Sequence, residues 1–445
     1  MRENILGTDS IQKLFVHYSL PAIAAMLFLG LNTIIDGLFV GNYIGTDALA
    51  SVNLAMPFAS VAIALSIVIG IGAQSSIGRM LGAGDSEKAR DAFRTALILV
   101  FFLSMFFAIA AYLYPESIAR LLGANERLLE STATYIRYTG IFLPFLTVML
   151  VFDYALKTIA MPLYAMAALV VAVSSHMFFS WYFIAHLSLG IKGAALAMGI
   201  GCTVAFIMAL LPFCTRHCSL QISKGSFDKK LAAHILYSGS AEGLTEIGTG
   251  VTTFLFNITL MRYAGESGVA AFTVISYLSF MGNNILIGLS DGTGAIISYN
   301  YGYKKEKRVK KALQLASASA CCIGILIFFL LFFGSKEIVS LFLADANPKV
   351  LEFAALGAKI YAFAFLVNGI NIIVSGFFTA VGHPQNAALI SLSKGFIWIG
   401  IGIFLLPAIF GIRGIWLTVP LAEGATILLS SVLLYRYFKH TFRLE

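Results

Sequence analysis

The chain has 445 residues, 59% of them hydrophobic and only 12% charged, and its formal net charge is +8. Ordinary soluble domains carry about 25% charged residues, so this composition excludes them and points to a membrane protein. The five cysteines (Cys202, Cys214, Cys218, Cys321 and Cys322) lie in or beside apolar stretches and give no disulfide framework. Cys214, His217 and Cys218 lack the second ligand cluster that a tetrahedral zinc site needs, so no metal or other cofactor is expected.

Apolar segments long enough to cross a bilayer fall at 15–38, 52–76, 95–114, 136–156, 163–185 and 193–213. After a polar stretch they resume at 233–261, 269–298, 313–333, 354–380, 386–406 and 414–435. An ionisable group near the bilayer centre costs roughly 2.5–3.5 kcal/mol, so it faces a cavity or a partner. In span 1, Asp36 follows Asn32 by one helical turn on the same face, and Pro21 removes a backbone hydrogen bond and permits a bend. Asp36 stands in the last turn of the span, and capping the helix at the membrane rim is its alternative role. Span 4 holds Asp153 and span 5 His176, whose charge changes near neutral pH. Two arrangements are open for Asp153: a proton relay with His176 and Asp36, or an ion pair with Lys157 one turn away.

In span 7, Glu242 and Glu246 are four apart, and Thr249, Thr253 and Asn257 continue their stripe. This stripe suits the wall of a water-filled cleft; Glu242 alternatively lies at the solvated mouth. Asp291 in span 8 either serves such a cleft or holds the Gly288–Gly294 region together. Lys394 in span 11 and Glu423 in span 12 read as one buried ion pair, structural or coupling. The 37 Phe and 13 Met suit a pocket for lipophilic cations, although most of these side chains face lipid or pack helices.

The two halves share their punctuation. Tyr43, Gly45, Ala50, Gly72, Ile77, Gly82 and Ala92 recur about 220 positions later as Tyr263, Gly265, Ala270, Gly292, Ile297, Gly302 and Ala312. Asn125, Glu130 and Pro162 recur as Asn347, Glu352 and Pro384, and Gly190-Ile191-Lys192-Gly193 as Gly411-Ile412-Arg413-Gly414. Six spans per half means that both halves insert in the same orientation, a parallel repeat about an axis along the membrane normal. The expected fold is therefore all-α and integral to the membrane, with twelve helices in two six-helix lobes. The N-lobe is 1–213, a cytoplasmic linker 214–232, and the C-lobe 233–445.

Basic residues fix the sidedness. Twenty lysines and arginines fall on the side of the termini and the central linker, against nine on the other. Both termini are thus expected in the cytoplasm, the membrane being the plasma membrane. The run Lys304–Lys311 is an orientation signal beside anionic headgroups, and without interleaved aromatics it does not read as a nucleic-acid site. Neither a His-Glu-x-x-His nor a Gly-x-Ser-x-Gly motif occurs, so an enzyme is not expected.

The stretch Asp36-Gly37-Leu38-Phe39-Val40-Gly41, followed by Gly45, Ala48-Leu49-Ala50 and Pro57, resembles the multidrug and toxic compound extrusion (MATE) family. Thr245-Glu246, Phe256-Asn257, Ile297-Ser298-Tyr299-Asn300-Tyr301-Gly302 and Gly382-His383-Pro384 extend the resemblance, closest to its MepA-like bacterial branch. The resemblance implies an antiporter that exchanges organic cations or other amphipathic compounds for protons or sodium ions. It implies that Asp36 takes the coupling cation, that Glu246 is an acidic position of the C-lobe, and that Lys394 and Glu423 fill a base and an acid position. The chain departs from the family in span 5, where His176 and Ser180 replace an Asn and an Asp, and in span 4, where Asp153 and Lys157 stand for Asn and Arg. Losing a carboxylate weakens an oxygen-lined sodium site and gaining a histidine favours proton chemistry, so H+ is the expected coupling ion and Na+ the alternative. The expected agent is a monomer that exports lipophilic or cationic compounds by alternating access, with Asp36, Asn32, His176, Asp153 and Ser180 at the coupling site. Glu246, Glu242, Asn257 and Asp291 would line the substrate cavity and Pro21 would be the hinge. A lipid or lipid-linked-sugar flippase of the wider superfamily is the alternative, for which a cationic cavity would be expected.

Overall fold

The computed structural model describes residues 5–215, 218–342 and 348–441; Arg2, Arg216, His217, Asn347 and Arg443 lie outside them. Among the described residues the regular structure is helical throughout. Ten helices are long and apolar enough to cross a membrane, and a pair bent by 48°, Val350–Ala362 and Phe365–Ala380, makes an eleventh. The expected seventh span is the first arm of Lys229–Gly302, a 74-residue run broken at Gly265. It does not reach the apolarity of the others because it carries the Glu242, Glu246 and threonine stripe. The fold class is the one expected, and the protein is a multi-pass membrane protein.

Local chemistry sets the helix boundaries. Asp85 caps Ser86–Leu113 by accepting the Lys88 N–H at 3.1 Å, and the bonds from Lys88 hold its carboxyl below the usual carboxylate range. Asn125 caps Glu126–Thr158 through the Leu128 N–H at 3.0 Å. Pro162 and Pro384, counterparts in the repeat, each occupy the first turn of a span, where a missing N–H costs nothing.

The repeat extends to the backbone. Positive φ occurs at Gly45 (117°) and its counterpart Gly265 (62°), at Gly84 (81°) and Lys304 (55°), at Ala160 (61°) and Gly382 (82°), and at Gly190 (60°) and Gly411 (58°). Each half therefore needs left-handed corners at the same four places between its spans. At two of the eight corners the residue is not glycine, and a Cβ is forced against the following carbonyl.

Two compact units form, residues 1–239 with 298–306 and residues 240–297 with 307–445. In the first, span 4 packs on spans 2, 3 and 6, and span 5 packs on spans 1 and 6. Its core includes Val40, Val52, Tyr135, Ile136 and Ile184. Span 2 crosses the tail of span 8 with no room for side chains. A Cβ on Gly82 would strike the Tyr299 carbonyl and one on Gly302 the Arg79 carbonyl, and positions 79 and 82 are the repeat counterparts of 299 and 302. The described part of the linker is strapped to span 3. Arg90 Nε donates to the Ser219 carbonyl at 2.8 Å, Arg94 to the Ile222 carbonyl at 3.1 Å, and the Ser226 N–H to Asp91 at 2.6 Å. The core of the second unit gathers Phe256, Phe272, Ile275, Ile403 and Trp416.

Span 10, expected as one helix over 354–380, is broken. Phe363, Ala364, Leu366 and Val367 bond three residues back rather than four, which tightens and bends the chain just before Asn368. Three spans also contain a widened π-helical turn: Val40–Ile44 after span 1, Trp181–His186 in span 5 and Ser393–Trp398 in span 11.

The left-handed corners yield a test. Ala160→Gly and Lys304→Gly should each stabilise the protein by about 0.5–1 kcal/mol, the relief of a left-handed penalty less the greater unfolded-state entropy of glycine. Gly382→Ala and Gly84→Ala should destabilise it by a similar amount. Unfolding midpoints in mixed detergent micelles read both pairs; equal midpoints for all four variants would count against this account.

Candidate functional site

Span 1 places Asn32 and Asp36 on one face, and span 5 brings His176 against both. His176 Nδ1 lies 2.9 Å from Asn32 Oδ1. An amide oxygen only accepts, so Nδ1 carries the donated proton and Nε2 of the neutral ring is a bare acceptor. That Nε2 faces Asp36 Oδ1 at 3.4 Å, and neither atom has a hydrogen-bond partner among the described residues. The His176 side chain is 8% exposed and that of Asp36 20%. Two acceptors thus confront each other in a nearly buried place, one proton short of a bond. A single proton satisfies both.

The surroundings fix this pair. Gly201 lets span 6 approach closely, since a Cβ there would meet His176 Cβ at 2.9 Å. Ser180, one turn beyond His176, is buried, and its hydroxyl has no partner among the described residues. The π-helical turns that follow Asp36 and Ser180 pack against each other. Such turns recur at functional sites because they re-aim side chains within a helix. Tyr135, buried in span 4, lies within electrostatic reach of Asp36.

Asp153 takes the second of its two open arrangements. Its carboxylate accepts from Lys157 Nζ at 2.7 Å, with the two side chains 17% and 6% exposed. The ammonium also sits 5.0 Å from the centre of the Tyr154 ring. The structure therefore brings Asp36, Asn32 and His176 together and commits Asp153 to a partner on its own helix. Pro21 lies within the unbroken helix Ile11–Phe39.

In the second unit, Glu242 is half-buried and Glu246 exposed. Glu242 is within electrostatic reach of Asp291, Glu246 and Lys394. Asp291 is buried and Asn257 half-buried. Of the stripe, Thr249 and Thr253 are exposed and donate to carbonyls one turn back, and beside it Thr245 Oγ1 lies 2.8 Å from Ser391 Oγ.

Lys394 and Glu423 do pair, at 2.7 Å, within a network that ranking charged residues alone overlooks. Lys394 Nζ also donates to Asn368 Oδ1 at 2.7 Å, and Asn368 Nδ2 to Asn283 Oδ1 at 2.6 Å. On the other side, Asn371 Nδ2 donates to Glu423 Oε2 at 2.8 Å while Asn371 Oδ1 accepts from Ser430 at 2.9 Å. The signal was present as Asn368-Gly369-Ile370-Asn371, two amides on one face of an apolar span. Among the described residues, no three His, Cys, Asp or Glu side chains converge as a metal would require.

The MatE family profile matches residues 21–182 and 243–406, one copy on each half of the chain, and the chain belongs to that family of membrane transporters. The Multidrug export protein MepA of Staphylococcus haemolyticus (strain JCSC1435) is 24% identical over 429 residues, covering 96% of this chain and 94% of the relative. A transporter of the MOP superfamily from Pyrococcus furiosus, reported with a binding pocket of reversed polarity, superposes with a TM-score of 0.92 at 21% identity, over 99% of this chain and 98% of that one. An outward-facing multidrug resistance MATE family transporter superposes with a TM-score of 0.91, at 21% identity and the same coverage. At that identity the structural likenesses speak to the fold alone.

Replacing Asn371 by Leu removes the donor on Glu423 Oε2 and strands a buried carboxylate oxygen, so it should destabilise the protein by about 1–3 kcal/mol. Unchanged unfolding in mixed micelles would mean that the network does not hold Glu423 in place.

Proposed function

We propose that this protein is a proton-coupled antiporter that exports lipophilic or cationic organic compounds across the bacterial plasma membrane by alternating access. The observation that carries the reading is the pair of facing acceptors, His176 Nε2 and Asp36 Oδ1, 3.4 Å apart and each without a hydrogen-bond partner among the described residues. A proton reaching this pair neutralises the Asp36 charge by forming a hydrogen bond already lined up for it. Its departure restores two facing acceptors and a carboxylate, which water or a bound organic cation stabilises. Occupied and empty states therefore differ in both charge and local bonding, the difference that an exchange cycle needs.

Sodium fits this place less well. A hard cation wants several oxygen ligands, whereas Asn32 Oδ1 is engaged by His176 and the other facing atom is a nitrogen. Bending at Pro21 would couple proton occupancy to the shape of span 1. Substrate would meet Glu242, Glu246, Asp291 and Asn257, acids that attract organic cations and repel anionic lipid-linked sugars. In this reading the working lobes are 1–213 and 233–445, joined by the cytoplasmic segment 214–232, with both termini in the cytoplasm and one chain sufficient for transport. The MepA relative, a multidrug export protein over nearly the same length, supports the substrate class.

The test is dye or drug transport in everted membrane vesicles. Asp36→Asn should abolish movement driven by a pH gradient while leaving protein levels intact, and replacing sodium by choline should leave the wild type unaffected. Full activity in Asp36→Asn, or a strict sodium requirement, would reject the proposal.

A further inference from the structure

The Lys394 ammonium sits where a free ion would be expected. Two oxygens point at it from different helices, the Glu423 carboxylate Oε1 from span 12 and the Asn368 amide Oδ1 from span 10, each at 2.7 Å. Both are held from behind. Asn368 cannot turn its amide away because Nδ2 is spent on Asn283 Oδ1 at 2.6 Å. Glu423 is anchored through its second oxygen by Asn371 at 2.8 Å, and Asn371 also donates to the Glu423 carbonyl at 3.1 Å and accepts from Ser430 at 2.9 Å. An ordinary surface ion pair has no such backing. Two preset oxygens, one charged and one neutral, suit an ammonium group, and water at the open end would complete the shell of an alkali ion.

The lysine reaches it from a π-helical turn, Ser393–Trp398, a widened coil that displaces its side chains from regular helical register. That turn is pinned on both sides. Ser393 Oγ lies 3.3 Å from Thr426 Oγ1 of span 12, and Gly395 packs so closely on span 7 that a Cβ there would meet Gly248 Cα at 3.0 Å. The acid is 2% exposed, but the lysine side chain is 28% exposed, so the site opens at the ammonium end and not at the carboxylate end. A buried carboxylate that loses its partner is strongly destabilised. Among the described residues, the more open side of this pair is the lysine's, the side from which a replacement charge would arrive.

We propose that Lys394 is a tethered cation: its ammonium permanently occupies a monovalent cation site formed by Glu423 and Asn368, which Asn371 and Asn283 hold from behind. Emptied of the lysine, that site takes a free primary ammonium or an alkali ion of similar size, such as potassium. The consequence for transport rests on the antiport reading. A cation fixed to the chain cannot exchange with solution, so ion traffic is confined to the Asp36 site, and Lys394 offsets one of the acids (Glu423, Glu242, Asp291 and Glu246) that span segments carry in this unit.

The test uses purified full-length protein and needs no transport. Thermal unfolding is followed in choline chloride and in equal concentrations of potassium, sodium or ethylammonium chloride. The wild type should be indifferent to the exchange. Lys394→Ala should melt several degrees lower in choline and recover in a saturable manner in ethylammonium or potassium, and the added change Glu423→Gln should abolish that recovery. If Lys394→Ala aggregates in choline, the folded yield after extraction in ethylammonium against choline reads the same rescue. A variant that no small cation rescues by either readout would overturn the proposal, as would a wild type that responds equally or a double variant still rescued. Were the wild type to fail in proton-driven export but the rescue to occur, the antiport reading would fall and the tethered cation would stand.

Discussion

A charge inside a bilayer must be compensated, and this constraint organises the interior of the protein. Compensation takes two forms here. Asp153 and Glu423 are each closed by a lysine ammonium at 2.7 Å, Lys157 from the same helix and Lys394 from the neighbouring one. Among the described residues Asp36 faces an imidazole whose near nitrogen is itself an acceptor. The first two are complete without any visitor. The third is complete only when a proton is present, and that difference separates a structural ion pair from a site that can load and unload.

The same contrast explains why the structure invests so much in orientation. His176 is useful only while Asn32 holds its Nδ1–H, because that bond turns Nε2 toward Asp36 as an acceptor. Gly201 admits span 6 beside the ring, and the touching π-helical turns beyond Asp36 and Ser180 set the two helices in register. In the second unit the asparagines do equivalent work around Lys394. Neutral amides cost far less to bury than charges and can be locked by their own second bonds, which makes them the economical supports of a charged centre.

Much of this could be read from the residues. Long apolar spans and a repeat at about 220 positions pointed to the all-helical membrane fold; the left-handed corners at matching places emerged only in the structure. Asp36 and His176 stood out because ionisable groups are costly in lipid, and Asn32 because it shares the face of Asp36. The Asn368–Asn371 face did not, since an amide carries no charge and two of them in a span of 15–20 residues hardly alter its hydropathy. Nor could the linker straps be seen: Arg90, Asp91 and Arg94 look like orientation charges until the fold brings 219–226 against them. The break before Asn368 arises from a local change of bonding among Phe363, Ala364 and Leu366, residues that would sit equally well in a straight helix. Periodicity registers which face is apolar, but not which carbonyl a given N–H will choose.

If a mobile proton completes the Asp36–His176 pair, then in an exchange cycle it must leave as a cationic substrate binds. Purified transporter in weakly buffered detergent, mixed with a saturating organic cation and followed with a pH-sensitive dye, measures this directly. The account predicts release of about one proton per transporter, lost in Asp36→Asn and retained in Asp153→Asn. No release from the wild type, or the same release from Asp36→Asn, would contradict it.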